Sequence, residues 1–230
     1  MSVTQCVLLV GGMGTRLGDL TAQTPKPMLS VAGKPFLEHL LVKAARHGFT
    51  EVVLLAGFRA DVLVDWLTQS QVGARLGLRI EVVVEAEPMG TGGALVQARD
   101  RLAPTFLLAN GDTWFDFDWR ALADHTDVPA VMALREIAVA DRYETAVLEA
   151  SRVVRFRPRT GEASPGLING GVYRISRAAL PDLPGAWSLE ADFLPRVALA
   201  GELGGQVFAG DFIDIGVPES LAAAQALLAR

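Results

Sequence analysis

An α/β fold with a mainly parallel sheet covered by helices is predicted for this chain by three features. Short β-branched runs alternate with helical patterns, which is how strand, helix, strand units read in sequence. The first runs close in glycine or polar turns, where such sheets collect ligands. A length of 230 residues, 50% of them hydrophobic, suffices for one sizeable core.

The elements follow in order. Strands are expected near Cys6 to Val10, Glu51 to Ala56, Arg79 to Glu85, Phe106 to Ala109 and Ala130 to Leu134. Between the first two, Phe36, Leu37, Leu40, Leu41, Ala44 and Ala45 recur at helical spacing, and Gly48 is a natural stop. A second helix is expected over Ala60 to Thr68. After Leu134 the runs shorten: Ala146 to Glu149, Arg152 to Phe156 and Gly171 to Ile175 read as strands between turn-rich segments. Ser188 to Ala200 reads as a helix, Val207 to Ala209 and Phe212 to Asp214 as strands, and Pro218 to Leu228 as a closing helix with proline at its start. One domain over residues 1–230 is expected, with no repeat or low-complexity tract.

Bulk properties exclude several classes. A net charge of −5 offers no electrostatic footprint for nucleic acid or an anionic membrane, so an anionic ligand needs a local cationic pocket. Cys6 is the only cysteine, which rules out an internal disulfide or a cysteine zinc cluster. No apolar run reaches the roughly 20 residues that span a bilayer, and no cleavable leader is evident, so the chain reads as cytoplasmic. Lys26, Lys34 and Lys43 are the only lysines among 21 basic side chains, which makes each lysine more informative.

The densest chemistry lies in Val10-Gly11-Gly12-Met13-Gly14-Thr15-Arg16-Leu17 with Pro25-Lys26-Pro27. A buried strand feeds a glycine turn whose backbone N–H groups can approach an anion, and Arg16 and Lys26 supply positive charge. A nucleoside triphosphate suits that arrangement. A P-loop would close in Gly-Lys-Ser/Thr, yet Gly33-Lys34 is followed by Pro35. A dinucleotide fold would end its second strand in an acid, whereas this one ends in Ala56-Gly57. A turn that merely joins strand to helix would need neither cation.

Two acids stand at comparable places. Asp112 follows the apolar run Phe106 to Ala109 through Asn110-Gly111, and Asp214 sits in Phe212-Ile213-Asp214-Ile215-Gly216. Two hard oxygen donors suit a magnesium ion that keeps several waters and also meets phosphate oxygens. The plainer alternatives are a solvated loop aspartate at 112 and an acid that bonds the turn before Pro218 at 214. His39, His47 and His125 show no metal-ligand spacing, and no nucleophile and base pair stands out.

These motifs resemble those of the sugar-phosphate nucleotidyltransferases, with Val10 where an alanine is usual. The resemblance covers nearly the whole chain, from Val7 to Leu221. It implies a Rossmann-like fold of the nucleotide-diphospho-sugar transferase type. About residues 1–135 then hold the nucleotide, and about 136–230 form a sugar-side β extension.

The resemblance also implies roles. Arg16, Lys26 and Asp112 carry the chemistry, while Asp112 and Asp214 hold magnesium. Val10, Gly11, Gly12, Gly14, Thr15, Glu87, Gly90 and Thr91 meet the nucleotide. Asn110, Asn169, Gly170, Glu190 and Arg157 meet the sugar phosphate. A carboxylate such as Glu87 accepts the N1–H and amine donor pair of guanine, which pyrimidines lack; a solvated Glu87 before a glycine-capped helix is the alternative. Asn169 is otherwise a turn-former with Gly170, and Glu190 an acid at a helix start. A Glu-Lys-Pro segment common in the family is replaced by Arg155-Phe156-Arg157-Pro158-Arg159, and either Arg157 or Arg159 can take the lysine's place.

Within the family the motifs are most similar to the heptose 1-phosphate guanylyltransferases. The expected reaction converts GTP and D-glycero-α-D-manno-heptose 1-phosphate to GDP-heptose and pyrophosphate. The alternatives are a uridylyltransferase for N-acetylmuramate 1-phosphate, a thymidylyltransferase for glucose 1-phosphate, and a non-catalytic nucleotide-sugar sensor.

Overall fold

Successive buried residues of the first strand, β1 (Gln5–Leu9), face opposite sides of the sheet, and that alternation organises the molecule. Cys6 and Leu8 join one hydrophobic core and Val7 joins another, so the sheet is packed on both faces. The computed structural model describes residues 2–125 and 127–229.

A two-strand hairpin, β2 (Ser30–Val31) and β3 (Lys34–Pro35), leads into α1 (Phe36–Arg46). Phe36, Leu37, Leu40, Leu41 and Ala44 of α1 are buried, and Gly48 follows with φ +75°. Then come β4 (Glu51–Ala56), α2 (Ala60–Ser70), α3 (Val72–Leu76), β5 (Arg79–Val84), α4 (Gly90–Gln97), β6 (Thr105–Asn110), β7 (Thr113–Phe115) and α5 (Trp119–Ala123). The second half holds β8 (Ala130–Ile137), β9 (Thr145–Glu149), β10 (Arg152–Arg157) and β11 (Gly166–Ser176). It closes with α6 (Leu194–Leu199), β12 (Leu203–Phe208), β13 (Phe212–Asp214) and α7 (Pro218–Leu228).

Nine strands form one sheet in the order β5-β4-β1-β6-β11-β8-β12-β10-β9. The pairings from β5 through β6 are parallel, with Leu9 opposite both Leu55 and Asn110. Their carboxyl ends therefore open on one edge, and β1 lies where the chain's winding reverses direction. β11 is antiparallel to β6 and β8, which carries the sheet from the first half of the chain into the second. A separate antiparallel pair, β7 with β13, sets Asp214 opposite Thr113.

Three of the elements that differ from their expected bounds do so for packing reasons. β11 begins five residues before Gly171, because Asn169-Gly170-Gly171 lies at a register irregularity inside the strand instead of at a turn before it. β12 starts at Leu203, with Gly204 and Gly205 inside it; a side chain on Gly205 would meet Leu148, Leu134 and Val153 within 2.8 Å. The expected helix over Ser188 to Ala200 is a wide π-type turn, Leu189–Phe193, that continues into α6. Among the described residues no helix is long and apolar enough to cross a membrane.

Candidate active site

The carboxyl ends of β1, β4 and β6 border a cavity of about 390 Å³. Its wall includes Leu9, Gly11, Gly12, Lys26, Leu55, Glu85, Gly90, Thr91, Asn110, Asp112 and Glu190. Residues expected to meet a nucleotide and residues expected to meet a sugar thus share one space.

Lys26 is 8% exposed, and its Nζ donates to Asp112 Oδ2 at 2.8 Å. Gly14 makes room for it. Its φ is +65°, and a Cβ there would lie 2.9 Å from Thr21 Cγ2 and 3.3 Å from Lys26 Cε. Arg16 follows in a 3-10 segment, Thr15–Thr21, and is exposed.

Asp214 is held beside this pair by the chain itself. Ile215 N–H donates to Asp112 O at 2.9 Å, and Gly216 N–H donates to Asp214 Oδ1 at 2.7 Å. A methyl placed on Gly216 would meet Asp214 Oδ1 at 2.8 Å and Arg16 Nη2 at 3.0 Å, so guanidinium and carboxylate lie against one glycine. Burial pushes the Asp214 carboxyl above its ordinary value, and the charge of Asp112 adds to this. The Gly216 hydrogen bond, Lys26 and Arg16 act in the opposite direction. Two cations and two carboxylates from distant parts of the chain are therefore neighbours.

Among the residues expected to meet a sugar, Asn110 has its Oδ1 buried with no hydrogen-bond partner among the described residues. An acceptor left open in a cavity wall suits a hydroxyl donor. Asn169 lies outside the wall: its Nδ2 donates to Tyr173 Oη at 2.7 Å and its Oδ1 accepts from Gly171 N–H at 2.9 Å. Gly170 is buried beneath the Phe115 ring. Arg157 and Arg159 are exposed and are not part of the cavity wall. Val10 is buried at the end of β1, and Thr15 is exposed on the loop.

Two contributors were not singled out from the sequence. Glu85 directly follows β5, lines the cavity and accepts from Met89 N–H at 3.0 Å, whereas Glu87 is exposed on the turn outside the wall. Its signal was its place at the carboxyl end of a parallel strand. Lys43 is buried in α1 and donates to Asp116 Oδ1 at 2.8 Å, with the Trp114 ring 4.8 Å and the Trp119 ring 5.7 Å from its Nζ. It anchors the segment after Asp112. Only its rarity as a lysine marked it.

A family model described as nucleotidyl transferase matches residues 5–230. The chain is 34% identical to the D-glycero-alpha-D-manno-heptose 1-phosphate guanylyltransferase of Aneurinibacillus thermoaerophilus, over 96% of each chain. It is also 34% identical to the protein of that name in Campylobacter jejuni, over 94% of this chain and 96% of that one. Among solved structures, HddC from Yersinia pseudotuberculosis complexed with GMP-PN superposes with a TM-score of 0.86 at 30% identity, covering 99% of this chain and 100% of that one.

Proposed function

The chain belongs to the nucleotidyl transferase family, and from that premise we propose that it transfers a guanylyl group from GTP to D-glycero-α-D-manno-heptose 1-phosphate, releasing pyrophosphate. The observation that carries this reading is the shared cavity, where the glycine turn and the Lys26–Asp112 pair face Thr91 and Glu190. Relatives named for this reaction, matched end to end, support the choice of GTP and of a heptose phosphate.

The chemistry follows from the charges. A phosphate oxygen of the sugar 1-phosphate forms a bond to the α-phosphorus of GTP as the bond to the β-phosphate bridging oxygen breaks. The electron pair of that bond leaves with pyrophosphate. The attacking oxygen is already ionised at neutral pH, so no general base is needed, and catalysis rests on positioning and charge stabilisation. Lys26 reaches the phosphates of both substrates. Arg16, whose guanidinium lies next to Gly216, meets the departing pyrophosphate. Gly11 and Gly12, with the loop through Gly14 and Thr15, offer backbone N–H groups to the triphosphate.

Asp112 and Asp214 fit a magnesium ion. They are hard oxygen donors, and a dication held by them would offset what raises the Asp214 carboxyl, burial first and then the charge of Asp112. When bound, the ion would supply charge neutralisation at the phosphates. Guanine presents an N1–H and an amine to a single carboxylate. Glu85 in the wall is better placed for that than Glu87 on the exposed turn.

The test is pyrophosphate release with GTP, UTP or dTTP against heptose, N-acetylmuramate and glucose 1-phosphates. Turnover of GTP with the heptose phosphate is expected. Consumption of UTP or dTTP in preference to GTP would overturn the guanine assignment, and binding without turnover would point to a sensor.

A further inference from the structure

The turn at the start of α4 is bound to the sugar-side segment by more than proximity. Trp187 N–H donates to Met89 O at 3.1 Å, while Gly92 N–H and Gly93 N–H donate to Trp187 O at 2.9 and 3.4 Å. One turn further, Leu189 N–H donates to Thr91 Oγ1 at 2.8 Å, and Thr91 Oγ1 donates to Glu190 Oε2 at 2.9 Å. A hydroxyl has one hydrogen, and here it is committed to Glu190. Ser188 Oγ approaches the same Oε2 at 3.2 Å and accepts from Ala191 N–H at 3.0 Å.

We infer that Thr91 is a positioning residue for the sugar-binding carboxylate Glu190, and that through it the turn beside the nucleotide sets the orientation of the sugar site. Both hydroxyls converge on Oε2, which leaves Oε1 as the oxygen available to a sugar hydroxyl in the cavity that Thr91 and Glu190 both line. The two residues are 99 positions apart, so the hydrogen bond joins the two halves of the chain directly above the cavity. Thr91 thereby acts on the sugar through Glu190, with its only proton unavailable to the nucleotide. The inference rests on the function proposed above.

The experiment compares wild type, Thr91→Val and Thr91→Ser in steady-state assays of pyrophosphate release, each substrate varied at a saturating level of the other. Valine keeps the shape and removes the hydroxyl. Thr91→Val is expected to raise KM for the sugar 1-phosphate about tenfold and leave KM for GTP within about twofold, while Thr91→Ser restores the wild-type sugar KM. Glu190→Gln and the double variant Glu190→Gln with Thr91→Val complete a cycle, and the double is expected to bind sugar no worse than Glu190→Gln alone. A Thr91→Val enzyme in which both KM values rise together, or neither rises, overturns the inference, as does an additive double variant. Wild type that releases no pyrophosphate with any sugar 1-phosphate overturns the proposed function first and takes this inference with it. An active wild type with an unaltered sugar KM in Thr91→Val overturns the inference alone.

Discussion

Replacing Gly92 by alanine should destabilise the protein, although alanine is the better helix former. A Cβ built on Gly92 would lie 1.9 Å from Trp187 Cε3 and 2.0 Å from Cζ3, far inside the roughly 3.5–4.0 Å of carbon contact. The ring cannot simply recede. Trp187 is 8% exposed, its backbone is fixed by the hydrogen bonds to Met89, Gly92 and Gly93, and its ring packs against Phe193. Overpacking of this kind costs about 3 kcal/mol at the upper end of its usual range. Helix propensity returns up to about 1 kcal/mol. The net loss is about 2 kcal/mol, or a fall of about 4–8 °C in Tm for a chain of this size. Thermal unfolding followed by near-UV circular dichroism reads both the midpoint and the Trp187 environment. A Tm equal to or above that of wild type, as an unobstructed helical glycine would give, would refute the packing of Trp187 on this turn.

Lys26→Ala is expected to lower kcat by about 10²–10³ in the pyrophosphate assay, because it removes the cation paired with Asp112 and aimed into the cavity; retention of wild-type kcat would contradict its role. Asp112→Asn and Asp214→Asn should each shift the magnesium dependence of the rate to higher concentration and lower kcat about 10²-fold or more, with the double variant little worse than either, since both serve one ion. Unaltered magnesium dependence would contradict the metal assignment. Stability should fall on acidification through His39 of α1 and His47 just after it. Burial, foremost, holds His39 below its ordinary 6.5, with Lys34 adding to that and the bond to Val31 O and Glu38 opposing it; burial and then Lys43 lower His47. The folded state disfavours the proton that the unfolded chain accepts, so the stabilisation is complete above 6.5 and is lost as pH falls through the lowered folded values. Urea midpoints measured from pH 7.5 to 5 should decline, and His39→Gln should make the decline shallower; an identical slope in the variant would contradict this.

What could be read from the sequence depended on how local its cause was. Glu51–Ala56, Phe212–Asp214 and Pro218–Leu228 have the bounds their own patterns imply, because each is a short apolar or alanine-rich run with a clear stop. Gly11, Lys26, Asp112 and Asp214 were visible because a strand, a turn and a charged group lie within a few positions of one another. Partners across the fold left no such mark. Glu85 stood in the sequence only as the last residue of an expected strand, and it takes the fold to put it in the wall while Glu87 is exposed. Gly204 and Gly205 look like a loop until neighbouring side chains claim the space above them. Of the glycines in this turn the sequence singled out Gly90, for a nucleotide, whereas Gly92 is small because Trp187 lies against it. The Thr91–Glu190 bond needs both halves of the chain folded before it exists.

The central claim is that four charged groups act on two bound phosphates in one displacement, with no covalent guanylyl enzyme. Isotope exchange between labelled pyrophosphate and GTP, measured without sugar phosphate or its nucleotide product, tests it most directly. No label should enter GTP, because pyrophosphate has no activated guanylyl group to recapture. Exchange at a rate comparable with turnover would reveal a nucleophile on the protein and contradict the account.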